Sequence, residues 1–170
     1  ERGTGLITPG QPIVIDIFPR SRESGYWADM TRTVCLGVPT KKVQHMYDTV
    51  VAAQTLAIEM VAPGVCCQNI HLAVAGLFAN HGYSTGGEGS EFKFEYGFVH
   101  STGHGIAQDI HQAPVIGPNS EEVLQAGQVI TIEPGLYYPG TGGVRIEDMV
   151  LVTDTGYDVL TEFSRKFVID

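Results

Sequence analysis

Basic residues are scarce in this chain. Lys and Arg number 10 against 19 Asp and Glu, a formal charge of −9 over 170 residues. Nucleic acid, whose phosphates need a basic face, is a poor partner for such a surface. Long apolar runs are also missing. None approaches the roughly 18 residues of a membrane-spanning helix, and no signal-peptide layout opens the chain. Cysteine is rare: Cys35 stands alone and Cys66 adjoins Cys67, an odd count without zinc spacing. Reduced thiols in a cytoplasmic protein are the expectation. An initiator Met is lacking as well. Glu1 comes first and a strand-like run begins by Ile13, so the chain reads as a piece of a longer polypeptide.

What is present has the proportions of a folded chain. Apolar residues make up 43% and charged residues 17%, and this length holds one domain, residues 1–170, with a real core. Ile13-Val14-Ile15-Asp16-Ile17 is a β-branched run that predicts a strand. Alternation puts Ile13, Ile15 and Ile17 on one face and Asp16 on the other. A second strand is predicted from Tyr26 to Val34, with Trp27, Asp29, Thr31 and Thr33 on one face. A hairpin between the two would set Asp16 beside Asp29. Apolar residues then recur with helical period from about Thr40 to Val61, where Val43, Met46, Tyr47, Val50, Val51, Leu56 and Met60 form a stripe ended by Pro63-Gly64. A second helix is predicted from about Gln68 to Asn80, with Ile70, Ala73, Leu77 and Phe78 inward. The glycine-rich stretch Ser84–Ser90 predicts a loop.

Strand logic returns in the second half. In Gln128–Glu133, Val129, Thr131 and Glu133 share a face opposite Ile130 and Ile132. In Gly143–Val152, Arg145, Glu147, Met149 and Leu151 oppose Val144, Ile146, Asp148 and Val150, so Glu147 and Asp148 point opposite ways. Strands, two helices, then more strands predict an α+β architecture.

Asp16, Asp29, Glu133 and Glu147 place four carboxylates in apolar runs, where an unpaired buried charge costs several kcal/mol. One such acid, Asp16 for example, reads equally well as an edge-strand charge facing water. Four of them, with His104 between glycines, point to a shared cationic partner. Oxygen-rich ligands with one imidazole suit Mn²⁺, Co²⁺, Fe²⁺ or Zn²⁺. Five ligands exceed what one catalytic zinc takes and match two ions about 3.5–4 Å apart, which lower the pKa of a shared water toward about 7 and make a hydroxide nucleophile. Two divalent ions, with four positive charges, would bring −9 to −5. His45, His71 and His81 read as structural or surface residues. Arg32 reads as half of a structural salt bridge, and Trp27 as sheet packing.

Gly25-Tyr-Trp-Ala-Asp29-Met-Thr-Arg-Thr33, His100-Ser-Thr-Gly-His104-Gly-Ile106, Asp109-Ile-His111, Ile132-Glu-Pro-Gly135 and Gly143-Val-Arg-Ile-Glu147-Asp148 resemble, in order, the signatures of the pita-bread metallopeptidases. His100, Arg145 and the compact Glu133–Glu147 interval resemble the Xaa-Pro dipeptidase (prolidase) and aminopeptidase P branch rather than methionine aminopeptidase. The resemblance implies a mostly antiparallel curved sheet covered by helices, with its N-terminal part missing here. It implies a cytoplasmic dinuclear enzyme, homodimeric at full length, with Mn²⁺ as its metal and peptides carrying proline at the second position as substrates. Asp16 would bind one metal, His104 and Glu133 the other, and Asp29 and Glu147 both. Glu133 would also shuttle protons through the bridging hydroxide reaction. His111 would stabilise the gem-diolate, and His100 and Arg145 would hold the proline end.

Two features depart from the family pattern. The Asp16–Asp29 segment carries an insertion at Ile17–Arg20, and the helices and hairpin that normally open the domain are absent. The isolated piece is therefore expected to bind metal poorly. A metal-free peptide-binding module and a creatine-amidinohydrolase-like enzyme are the rival readings on the same fold. Such modules typically lose ligands, and here all five stand.

Overall fold

Residue periodicity sets the first elements of the computed structural model, which describes residues 5–85 and 96–170. The aliphatic run forms strand β1, Pro12–Ile17, with proline at its first position, where the missing N–H leaves the ladder intact. It pairs antiparallel with β2, Met30–Leu36, and Asp16 lies opposite Thr31. The second strand thus starts at Met30 rather than at Tyr26. Trp27 donates its N–H to Ala107 O and Ala28 donates to Pro19 O, so this stretch spends its hydrogen bonds outside the ladder. Asp29 stands just ahead of β2. The strand β10, Val168–Ile169, adds to β2 in parallel, which leaves β1 at the sheet edge. Ile15 and Ile17 are 43% and 50% exposed there. Asp16 is exposed as well, which corrects the expectation of a buried acid in this strand.

Helix α1, Lys41–Glu59, opens where the Thr40 hydroxyl accepts the Val43 N–H at 3.2 Å, one of the orphan donors that every helix start must satisfy. Helix α2, Cys67–Asn80, buries Cys67, Ile70, His71, Val74, Ala75 and Phe78. Val74 rather than Ala73 continues the stripe from Ile70, and Leu77 packs at its margin. The two helices pack on each other and on the strands, with Met46, Ile70, Phe78, Phe98, Ile130 and Ile132 among the fully buried side chains. Burial of each such side chain contributes about 1.5–3 kcal/mol. Of the predicted Ser84–Ser90 loop, residues 86–90 lie outside the described residues.

Strands β3 (Gly103–Gly105), β4 (Gln112–Ile116), β5 (Val129–Ile132), β8 (Asp148–Val152) and β9 (Tyr157–Val159) form an antiparallel sheet in the order β4-β3-β5-β8-β9. Between them, β6 (Gly135–Tyr138) and β7 (Gly142–Arg145) make a separate two-stranded ribbon. Mostly antiparallel sheets, with two covering helices among the described residues, give the α+β fold that the alternating pattern implied.

The predicted strand Gly143–Val152 is in fact two, and the segment ending at Glu133 is the first half of a similar pair. Ile132 pairs with Asp148 in the large sheet, while Gly135 pairs with Arg145 in the ribbon. Glu133-Pro134 on one side and Ile146-Glu147 on the other carry the chain across the gap. Pro134 has no N–H to give a ladder, so pairing has to break beside it. This crossing brings Glu133 and Glu147, one from each crossing segment, to one corner.

Candidate metal centre

That corner is where four of the five predicted ligands meet. Ligand atoms of Asp29, His104 and Glu147 all lie within 4.8 Å of one another. His104 Nε2 is 3.9 Å from Asp29 Oδ2 and 3.3 Å from Glu133 Oε1, which ties Glu133 to the group. The glycines around His104 allow this approach: a Cβ at Gly103 would collide with the Thr131 carbonyl, and one at Gly105 with that of Ala113. Asp16 is placed differently. Its Oδ2 accepts from Arg145 Nη2 at 2.8 Å, and Arg145 Nε is 3.9 Å from Glu133 Oε2. Arg145 thus links the fifth acid to Glu133.

Ring nitrogens can be assigned from their partners. His104 Nδ1 lies 3.1 Å from Gly105 O. A carbonyl only accepts, so Nδ1 carries the proton and Nε2 faces the carboxylates, the orientation a ligating imidazole needs. His100 Nδ1 likewise donates to Ser101 O at 2.8 Å. Burial, the largest influence on His100, lowers its pKa and keeps the ring neutral. Its Nε2 therefore accepts from the Tyr137 hydroxyl at 3.1 Å, and that oxygen in turn accepts from Arg145 Nη1 at 2.8 Å. His111 sits at the exposed rim with its ring perpendicular to that of His104, centroids 4.4 Å apart.

The electrostatics are those of anions short of a cation. Burial first, and the charges of Glu133 and Asp29 next, push Glu147 up to about 8. Burial and Asp16 push Asp29 up to about 6. Glu133 differs: burial works to raise it, but the His104 hydrogen bond and the neighbouring His100 and Arg145 hold it below the usual carboxylate value. Burial would lower His104, yet Glu133 and the other acids beside it raise it on balance. Asp29 Oδ1 is buried without a hydrogen-bond partner among the described residues. An orphaned carboxylate oxygen amid acids with elevated pKa is the environment that a divalent ion would relieve. The residues fit the metal.

Several participants were not singled out from the sequence. Thr31 Oγ1 donates to Glu147 Oε2 at 2.6 Å, and the Met149 sulfur accepts the Asp29 N–H at 3.3 Å. Strand alternation already put Thr31 on the Asp29 face, which is a usable signal. Tyr137 carried none. Its place explains Gly135, where a Cβ would stand 2.6 Å from the Tyr137 hydroxyl. Trp27, read as sheet packing, is half-buried and lines a cleft of about 300 Å³ with Ile106 and Met149. His71 is fully buried against Thr102, as a structural histidine should be, while His45 and His81 are exposed.

Comparison with known proteins places the whole chain in one family. The sequence model of metallopeptidase family M24 matches residues 1–154. An uncharacterised peptidase of Staphylococcus aureus is 40% identical over 140 residues, 82% of this chain and 37% of its own length. An Xaa-Pro dipeptidase of Pyrococcus horikoshii is 37% identical over 162 residues, 95% of this chain and 42% of its own. The crystal structure of a dipeptidase from Pyrococcus horikoshii superposes with a TM-score of 0.86 at 35% identity, covering 99% of this chain and 44% of that one. The fold is accordingly the pita-bread fold. The chain spans about two-fifths of the length of the curated relatives it matches.

Proposed function

The chain belongs to metallopeptidase family M24, and from that premise we propose that it is the ligand-bearing part of a dinuclear peptidase hydrolysing the Xaa-Pro amide bond of dipeptides or peptide N-termini. The observation that carries this reading is the cluster of Asp29, His104, Glu133 and Glu147, acid-rich, desolvated and with one carboxylate oxygen unpartnered. These four residues with Asp16 would hold two divalent ions, Mn²⁺ by preference. When bound, the ions would supply Lewis acidity that lowers the pKa of a water molecule and polarises the scissile carbonyl.

The rest of the reaction is assigned to the chain's own side chains. Glu133 is held ionised between His104 and Arg145, so it can take a proton from the attacking water and pass it to the leaving nitrogen. His111, at the rim beside His104, would donate to the oxyanion of the tetrahedral intermediate. His100, Tyr137 and Arg145 form a hydrogen-bonded row whose guanidinium suits the carboxylate of a proline residue. Asp16 neutralises that guanidinium here, so metal ligation by Asp16 would release Arg145 toward substrate. Three thiols outside any disulfide suit the cytoplasm as the working compartment. No helix among the described residues is long and apolar enough to cross a membrane.

Hydrolysis of Ala-Pro and Ala-Pro-Ala by the full-length protein with Mn²⁺ tests the proposal. Cleavage of the first alone marks a dipeptidase, and cleavage of the second an aminopeptidase. Failure on both, with methionine released from Met-Ala, would overturn the proline specificity.

A further inference from the structure

Behind Glu147 lies a second polar cluster that the proposed chemistry does not use. Arg32, in β2, is buried, and Asp148 is wholly buried. Arg32 Nη2 donates to Asp148 Oδ1 at 2.6 Å and to Phe163 O at 3.2 Å. Asp148 also accepts from Gln54 of α1 at 2.7 Å, from Thr161 at 2.6 Å and from Arg165 at 2.7 Å. A plain salt bridge would stop there, but Arg32 does more. Its Nη1 donates to the Glu147 carbonyl at 2.6 Å and to the Thr31 carbonyl at 2.9 Å.

These contacts matter because of where Glu147 sits. It lies between β7 and β8, at the crossing from ribbon to sheet, outside both strands. Its N–H donates to Thr31 O at 3.0 Å, and its C=O is taken by Arg32. One guanidinium therefore binds the carbonyl of residue 147 and the side chain of residue 148 together. That fixes the peptide plane between them, and with it the direction in which Glu147 leaves the backbone. Thr31 then meets the carboxylate itself at 2.6 Å.

We infer that Arg32, anchored by Asp148, is a positioning residue that aims Glu147 into the metal centre. The inference rests on the reading of Glu147 as a metal ligand. It assigns to Arg32 more than charge neutralisation. Partners that orient a ligating side chain typically change metal affinity 10–100-fold when removed. Here the orienting contact runs through the ligand's backbone and needs two donors held in one plane, as in the guanidinium fork.

The test is Co²⁺ titration of the full-length protein, read by binding isotherm and by the visible absorption of the bound ion. Arg32→Met combined with Asp148→Asn removes both buried charges together, so no uncompensated charge remains between them. The double variant is expected to unfold cooperatively, to bind Co²⁺ about 10–100-fold more weakly, and to show an altered Co²⁺ spectrum. Arg32→Lys keeps the charge pair but replaces the planar fork that holds residues 147 and 148 at fixed angles with a flexible point charge; it decides the matter if the double variant does not fold, and it is expected to show the same change in smaller degree. Folded variants with wild-type affinity and spectrum would overturn the inference. Glu147→Gln separates the two readings: if that change alone leaves Co²⁺ binding and spectrum intact, Glu147 is not a ligand and the site assignment fails instead.

Discussion

Glu147 and Asp148 share a peptide bond and almost the same depth of burial, at 2% and 0% exposure. Asp148 accepts from four side chains, two of them arginines, and those bonds outweigh burial and hold its carboxyl below the usual range. Among the described residues Glu147 accepts from one threonine hydroxyl, and it faces Asp29 and Glu133 and is pushed up to about 8. The fold evidently supplies donors to a buried carboxylate where structure is at stake. One residue away it withholds them, and the deficit of positive charge is confined to the corner where Asp29, His104, Glu133 and Glu147 meet.

The sharpest way to break this contrast is at the acid that sits between the two states. Glu133→Ala is expected to lower turnover of Ala-Pro by at least about 10²–10⁴-fold, the usual worth of a general acid–base group; a full-length variant that retains activity refutes the proton-shuttle role. Asp148→Ala comes next. It strands Arg32 in the interior and should cost about 3–5 kcal/mol in denaturant unfolding, whereas Glu147→Gln in the metal-free protein should cost nothing or stabilise it. Equal losses at the two positions would erase the distinction.

Acidity gives a third, smaller effect. Glu147 and Asp29 have folded-state values of about 8 and about 6, above those of an unfolded carboxylate. The folded metal-free chain therefore holds protons that the unfolded chain has released, and its stability falls as pH rises from about 4 toward 8. Asp148 acts in the opposite sense: its contribution is present above the ordinary carboxylate value and is lost as pH falls through its depressed one. Thermal melts of the metal-free protein across this range, compared with Glu147→Gln, should show the high-pH loss disappear in the variant. Smallest of all, Tyr137→Phe removes the hydroxyl between His100 and Arg145 and should cost about 0.5–1.5 kcal/mol in the same melts.

Much of this was legible beforehand. Alternation alone separated Glu147 from Asp148, and the contacts of both bear that out even though the strand carrying them is broken. Helical period placed α1 and α2 within a residue or two. The strand break itself was hidden, because Val144-Arg-Ile-Glu-Asp-Met-Val150 alternates without a gap and only pairing with two different partners reveals the crossing. Asp29 was assigned to a strand for a similar reason, since the bonds that hold Trp27 and Ala28 out of the ladder go to Ala107 and Pro19, which no local pattern announces. Arg32 was read as a salt-bridge residue, and so it is. Its grip on the Glu147 carbonyl depends on β2 and the crossing lying side by side.

The central claim is that the unsatisfied carboxylates are held for cations, and proton release on metal binding tests it most directly. Mn²⁺ should be titrated calorimetrically into the metal-free full-length protein at pH 7, in buffers of different ionisation enthalpy. Two ions per chain should bind with release of about one proton, since Glu147, pushed up to about 8, must give its proton up to the metal. Absence of binding, or binding without proton release, would contradict it.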